Sequence, residues 1–334
     1  MAVIGVGRIG LAHAENLEDR VKGARLVAVS TSDPERAARV RRHHGNLRVH
    51  STPEALLEKE ELDAVVIASK TSAHIENVEM SAAAGIHILC EKPLALSVQD
   101  CEAAATVVDR AGVKLMIGHV RQFDRGHLEA RRLIEAGAIG QPVLFRGMSG
   151  DVDPPTPDFA DPAVSGGLIV DSMYHDIYLS RWLMADEISR VYGEGGALVD
   201  EGVRSVGDVD NAVVSLRFVG GAMGTLTASR VTRYGHDLRG EVIGDQGAVQ
   251  IGYFRQTPVR LLDRQGVHHD MVRRTSERMG EALVTELQAF VDCVLDGTEP
   301  PVTVRDARAT LEVALAATRS IHSGKPEQLQ LGAE

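Results

Sequence analysis

Two α/β domains are predicted for this chain. Residues 1–120 form a doubly wound parallel sheet, and residues 121–334 form a second α/β domain whose strands are mainly antiparallel. Three observations carry this. At 334 residues the chain exceeds the ~150 residues of a single average domain. Its first part alternates short apolar runs with longer helical segments, the pattern of repeated strand–helix–strand units. Further on, Val214-Ser-Leu-Arg-Phe218 alternates apolar and polar residues strictly, as an antiparallel strand with one wet face does.

In the first domain the strands are Met1–Ile4, Leu26–Ser30, Leu47–Val49, Ala64–Ala68, Ile86–Cys90 and Leu115–Ile117. The fourth is apolar without alternation, as a strand covered on both faces requires. Ser97-Val-Gln-Asp100 resembles a capping box with Asp in place of Glu. Val98, Cys101, Ala105 and Val108 then share one helix face, and Gly112 supplies the stop. Near residue 140 the pattern changes. Gly140-Gln-Pro142 interrupts it, and Asp151–Pro162 reads as a loop. A helix follows from Asp171 to Leu183, then short strands over 190–270. Leu283, Leu287, Phe290, Val291 and Val294 recur at helical spacing, and another helix covers Val304–His322; these can fold back on either domain. In Ala222-Met-Gly-Thr-Leu-Thr-Ala-Ser229, Ala222, Gly224, Leu226 and Ala228 face a core. Met223, Thr225, Thr227 and Ser229 form an uncharged opposite face suited to a homo-oligomer, tetramer or dimer.

Composition narrows the functions. No apolar run approaches the ~20 residues of a membrane helix, and the first residues carry no charged leader, so a cytoplasmic protein is expected. Cys90, Cys101 and Cys293 are scattered and odd in number, against both a disulfide framework and a zinc site. A formal net charge of -11 disfavours nucleic acid or an anionic membrane as partner. The short clusters Arg39, Arg41, Arg42; Arg131, Arg132; and Arg273, Arg274 read as solvated helix faces. A small-molecule substrate remains.

Gly5-Val-Gly-Arg-Ile-Gly10 follows a strand and opens the helical pattern Leu11–Val21. Gly5 permits a tight turn, Gly7 lets backbone approach a pyrophosphate, and Gly10 allows close helix–strand packing, which together imply a dinucleotide. The acid that usually holds the adenine ribose at the tip of the second strand is missing. Ser30, Thr31 and Ser32 stand there, while Asp33, just before Pro34, reads as a helix cap. Hydroxyls tolerate a 2′-phosphate, and Arg36, one turn into the next helix, reads either as a source of positive charge or as a solvated helix residue. The cofactor is therefore NAD(P), with a lean to NADP or dual specificity.

The strand Ile86–Cys90 ends in Glu91-Lys92-Pro93, at the carboxyl edge of the sheet where ligands bind. Alone, Lys92 reads as a surface lysine in a turn. Asp171 and His175 are i and i+4 on one helix, so a carboxylate can orient an imidazole for proton exchange. A cap beside a surface histidine has the same spacing.

Taken together, these segments resemble the Gfo/Idh/MocA oxidoreductases over nearly the whole chain. The resemblance rests on Gly5–Gly10, Thr71-Ser-Ala-His74, Cys90-Glu-Lys-Pro-Leu94, Gly118-His-Val-Arg-Gln-Phe-Asp124, Ser165-Gly-Gly, Asp171-x-x-x-His175-Asp176 and Gly207-Asp-Val-Asp210. Ser229–Arg239 is similar to the inositol dehydrogenase branch. The resemblance implies a Rossmann domain followed by an α/β domain with a large open mixed sheet, and hydride transfer between a nicotinamide and a secondary alcohol of a cyclic polyol or sugar. It implies a catalytic trio of Lys92, Asp171 and His175, with Lys92–Pro93 often cis. Cofactor contacts would come from Gly5, Gly7, Arg8, Ile9, Gly10, Ser30, Thr31, Ser32, Arg36, Ser69, Thr71, His74, Glu91 and Lys92. Substrate contacts would come from the trio; Arg121, Asp151 and His236 are further candidates for substrate hydroxyls, each of which reads equally as a structural or solvated residue. No metal is implied. Two departures touch the expected substrate side: Ser149-Gly-Asp-Val152 lacks the family's usual Arg, and position 119 is His rather than apolar. A keto-sugar or anhydro-sugar reductase would run the same trio in reverse. A non-catalytic dinucleotide sensor, also known in the family, tends to lose the trio that this chain keeps.

Overall fold

The computed structural model describes residues 1–152, 155–252, 259–272 and 275–329. The chain divides into two compact units, residues 1–123 with 280–309 and residues 124–279 with 310–334. Residues 280–309, which a single cut at 120 assigns to the second domain, thus sit in the first unit.

In the first unit, β1 (Ala2–Ile4), α1 (Arg8–Asp19), β2 (Ala28–Ser30), α2 (Pro34–His43), β3 (Arg48–His50), α3 (Pro53–Lys59), β4 (Ala64–Ile67), α4 (His74–Ala83), β5 (His87–Glu91), α5 (Val98–Ala111) and β6 (Leu115–Gly118) follow in order. The strands form one parallel sheet, β3-β2-β1-β4-β5-β6, so strand order reverses between β1 and β4. That switch point is where open α/β sheets bind ligands. β4 is buried throughout, as its unbroken apolar run requires. Local chemistry fixes the helix ends. Asp33 accepts the N–H groups of Glu35 and Arg36, Ser97 accepts that of Asp100, and Gly112 closes α5 at φ 66°. The core face of α5 is Cys101, Ala104 and Val108, with Ala104 taking the place expected of Ala105. Leu283, Leu287, Phe290 and Val291, from the returning segment, are buried, and Ile117 N–H donates to the Val302 carbonyl at 3.1 Å.

The second unit begins with α6 (Arg125–Glu135) and β7 (Pro142–Gly150), a nine-residue strand absent from the sequence reading. The expected loop from 151 to 162 instead contains the short helix α7 (Pro157–Ala160) and leads into α8 (Pro162–Ser165), capped by Asp161; residues 153 and 154 lie outside the described residues. A π-helical turn, Ile169–Met173, runs into α9 (Tyr174–Met184). Then come β8 (Ile188–Gly196), α10 (Glu201–Ser205), β9 (Asn211–Phe218), β10 (Met223–Ser229), β11 (Asp237–Gly244), β12 (Ala248–Ile251), β13 (Arg260–Asp263) and β14 (Gly266–His269). α11 (Thr275–Asp296), α12 (Val304–Ser323) and β15 (Glu327–Gln328) complete the chain.

Seven strands form the large sheet, β12-β11-β7-β10-β9-β8-β15, in which only the β7–β10 pair is parallel. Along β10, Gly224, Leu226 and Ala228 are buried while Met223, Thr225, Thr227 and Ser229 are not, which is the expected alternation; Ala222, expected on the core face, precedes the strand and is partly exposed. Among the described residues no helix is long and apolar enough to cross a membrane. All three cysteines are free and buried. Arg39, Arg41 and Arg42 are exposed on α2, and Arg131 and Arg132 pair with Glu135 and Glu129 along α6; Arg273 and Arg274 lie outside the described residues.

Candidate active site

The glycine loop sits at the switch point of the parallel sheet. Gly5 takes φ +90°, and a Cβ there would lie 2.8 Å from the Ala68 carbonyl oxygen. A Cβ on Gly10 would fall 1.8 Å from the Gly5 carbonyl oxygen, so α1 can press against β1 only with glycine at this position. Gly7 differs. A Cβ there would meet only the Arg36 guanidinium, Nη1 at 3.7 Å, leaving its surface open to a ligand. The first intrahelical bond of α1 runs from Leu11 N–H to Gly7 C=O, so the N–H groups of Arg8, Ile9 and Gly10 precede the ladder and suit an anion. This cradle fits a dinucleotide pyrophosphate. At the tip of β2, Ser30 is buried, and of the three hydroxyls only those of Thr31 and Ser32 reach partly or fully exposed positions. Asp33 is committed elsewhere: Oδ1 caps α2, and Oδ2 lies 3.1 Å from Arg36 Nε.

Glu91 ends β5, and the Lys92–Pro93 peptide that follows is cis. His74, expected to touch the cofactor, is buried instead. Its Nδ1 is 2.9 Å from the Pro93 carbonyl and its Nε2 3.2 Å from the Ser69 carbonyl. Burial holds its pKa below the ordinary histidine value; the neutral ring has one N–H, which can donate to one of these two carbonyls, and its burial leaves no surface for a ligand. Ser69 and Thr71 remain partly exposed beside it, and Asn77 Nδ2 donates to Ser69 Oγ at 3.0 Å. His119 and Arg121, beyond β6, are both buried.

In the second unit Asp171 lies in the π-helical turn and His175 in the first turn of α9. The widened turn, with its i to i+5 bonding, keeps residues four apart near one face, and such turns often mark functional sites. Both side chains are partly exposed, while Ser172, Met173 and Tyr174 between them are buried. Asp176 is buried too and accepts from Ser149 Oγ, so Ser149 anchors α9 to β7 rather than meeting substrate. Asp151 is fixed at the end of β7: Ser172 Oγ donates to Oδ2 at 2.9 Å, and His236 Nε2 lies 3.5 Å from Oδ1.

Residue-by-residue reading missed Arg230 and Asp208. Arg230 is only 2% exposed at its side chain; Nη1 is 2.9 Å from Asp208 Oδ2 and Nη2 is 3.7 Å from Asp171 Oδ2. Burial raises the pKa of Asp208, opposed by Arg230 and by the N–H groups of Val209 and Leu168. Both residues lie inside segments that carried the family resemblance. Yet one carboxylate and one arginine, 22 residues apart, give no sign in sequence of the ion pair they make.

Residues 1–119 match the model of an oxidoreductase family with an NAD-binding Rossmann fold, and residues 127–250 match the GFO/IDH/MocA C-terminal domain. The chain belongs to the GFO/IDH/MocA oxidoreductase family. This oxidoreductase is 39% identical to a scyllo-inositol 2-dehydrogenase (NAD(+)) of Bacillus subtilis, over 99% of its own length and 96% of the relative's. It is 36% identical to the myo-inositol 2-dehydrogenase of Thermotoga maritima, over 99% and 98% of the two chains. Its fold matches the crystal structure of scyllo-inositol dehydrogenase from Lactobacillus casei with bound NAD(H) and scyllo-inositol: TM-score 0.92, 27% identity, 98% of each chain covered. The oxidoreductase is a nicotinamide-dependent enzyme of the kind that acts on CH–OH groups.

Proposed function

We propose that the enzyme oxidises a secondary alcohol of an inositol-type cyclic polyol, with Lys92, Asp171 and His175 as its catalytic residues. The observation that carries this is the Asp171–His175 pair on the π-to-α junction, with Arg230 behind the carboxylate, in a chain whose relatives are named for inositols. When bound, the nicotinamide supplies the hydride acceptor. A ring nitrogen of His175 takes the hydroxyl proton as the carbon-bound hydrogen leaves, because an alcohol gives up hydride only as its oxygen loses a proton. Asp171 orients the imidazole and stabilises the imidazolium. The Lys92 ammonium stabilises negative charge growing on the reacting oxygen. Asp151 and His236, with Arg121, are the candidate contacts for the remaining hydroxyls. The test follows reduced-cofactor absorbance across a panel of inositols, sugars and their keto forms. Turnover of inositols above all others is expected; turnover of keto-sugars or anhydro-sugars alone would replace this reading with the reductase.

The same enzyme is inferred to accept NADP as well as NAD. Thr31 and Ser32 offer hydroxyls where a carboxylate would repel a 2′-phosphate, Asp33 is engaged in capping, and Arg36 reaches over Gly7. Wild-type kcat/KM for the two cofactors should agree within about tenfold, and Thr31→Asp should shift preference toward NAD by about tenfold or more. A wild type preferring NAD by about a hundredfold, unmoved by the new carboxylate, would sink the argument.

A homo-oligomer, tetramer or dimer, is inferred through the open face of the seven-stranded sheet. Val213 and Met223 are 49% and 48% exposed on that face, beside the uncharged Thr225 and Thr227.

A further inference from the structure

Three ionisable side chains meet inside the first unit, at the root of the turn that carries Lys92. His13 comes from α1, Glu91 from the end of β5 and Glu286 from α11. His13 and Glu286 are both 0% exposed, and the Glu91 side chain is 16% exposed. His13 Nε2 lies 2.7 Å from Glu91 Oε1, and one nitrogen or oxygen from each of the three falls within 4.8 Å of the others. Among the described residues neither carboxyl oxygen of Glu286 has a hydrogen-bond partner. The glycine at 118 makes the room: a Cβ there would sit 3.2 Å from Glu91 Oε2.

Two ionised carboxylates cannot share such a place. A buried anion needs a cation or several donors; among the described residues no donor reaches either Glu286 oxygen, and the charge that acts on it is that of another acid, Glu91. We infer that Glu286 is a neutral carboxylic acid whose O–H serves Glu91, so that Glu91 is held between two donors, His13 and Glu286, and fixes the backbone that presents Lys92. Glu286 is a positioning residue in this scheme, which rests on the reading of Lys92 as catalytic. The titratable groups around the cluster agree. α1 contributes His13 and β5 contributes Glu91. The ring of His74 at the start of α4 feels the charges of Glu91 and Lys92, and β6, Leu115–Gly118, carries no titratable side chain. Burial, and then the charge of Glu91, raise the Glu286 pKa well above the ordinary carboxyl value.

The experiment compares the full-length wild type with Glu286→Gln and Glu286→Leu. Infrared spectra in D2O at neutral pH should show the C=O stretch of a protonated carboxylic acid that disappears in Glu286→Gln. Kinetically, Gln keeps a neutral donor and should hold kcat within about threefold, whereas Leu, similar in size without a donor, should lower it by about tenfold or more. Absence of the carboxylic acid band overturns the inference. So does a Gln variant as impaired as the Leu variant, or one divalent metal ion bound per chain by elemental analysis, since His and two Glu also form a metal-ligand set. The infrared result does not depend on which alcohol is oxidised, so a failure of the inositol reading leaves a separate signature from a failure of this one.

Discussion

At the scale of single residues, the groups expected to touch substrate separate cleanly from the groups that hold them. Lys92→Ala and His175→Ala should each lower kcat by about 10²–10⁴-fold, and His175→Ala should do so with cofactor affinity unchanged, because their roles are to stabilise charge and move a proton. Near-wild-type rates in both would disprove the mechanism. Arg230→Met should act differently. It strands Asp208 in a buried position and removes the cationic neighbour of Asp171, so a loss of about 3–5 kcal/mol in stability should accompany reduced turnover. Asp208→Asn in the same background should recover part of the melting temperature. A melt unchanged by Arg230→Met would refute the pairing. Asp124 supplies a pH-dependent case. Burial raises its pKa, but His127 and Arg278 more than offset this and hold it well below the usual carboxylate range. A depressed folded pKa adds stability above the unfolded value of about 3.9 and loses it as pH falls toward the folded value. Asp124→Asn should therefore flatten the stability–pH curve below about pH 4, as seen in urea titrations at several pH values. The candidate trio was legible only through the family resemblance, since Lys92 alone reads as a surface lysine in a turn and the spacing of Asp171 and His175 also fits a helix cap beside a surface histidine. Arg230, Asp208 and Glu286 were not, since their partners lie far along the chain.

At the scale of elements, the glycine loop offers a pair of contrasting variants. Gly10→Ala would drive a methyl group to 1.8 Å from the Gly5 carbonyl oxygen and should destabilise by about 1–3 kcal/mol or more. Gly7→Ala meets only the end of Arg36, and its φ of -68° suits alanine, so the melting temperature should hold while dinucleotide affinity falls. Equal melting temperatures for the two variants would contradict this account. The six parallel strands were readable to within a residue or two; in all but the edge strand β3, Arg48-Val-His50, short apolar runs are bounded by turn residues and largely buried. β7 escaped notice. Its run Pro142–Gly150 contains Arg146, Gly147 and Ser149, and it is a strand because β10 and β11 pair with it on either side. Tertiary pairing outweighed local preference there. The π-helical turn under Asp171 had no precursor in the pattern either, since an apolar stretch such as Leu168-Ile-Val170 fits an α-helix equally well.

At the scale of the whole molecule, self-association is testable by light scattering. The wild type should scatter as a dimer or tetramer at micromolar concentration, and Val213→Glu, which sets a charge on the open sheet face, should reduce the mass toward one chain. A wild-type monomer would end that reading. The two-unit division also has a temporal meaning. The ribosome releases residues 1–123 well before 280–309, and at about 5–20 residues per second the interval is on the order of tens of seconds. Throughout that time the first unit lacks Leu283, Leu287 and Phe290, which are buried in the finished unit. The nascent chain must therefore carry an unfinished apolar surface through the synthesis of the entire second sheet. Stalled chains ending before residue 280 should be cut by protease within their first 123 residues, and chains extended past 309 should resist. Chaperone demand, on this view, is written into the order in which the chain visits its two units.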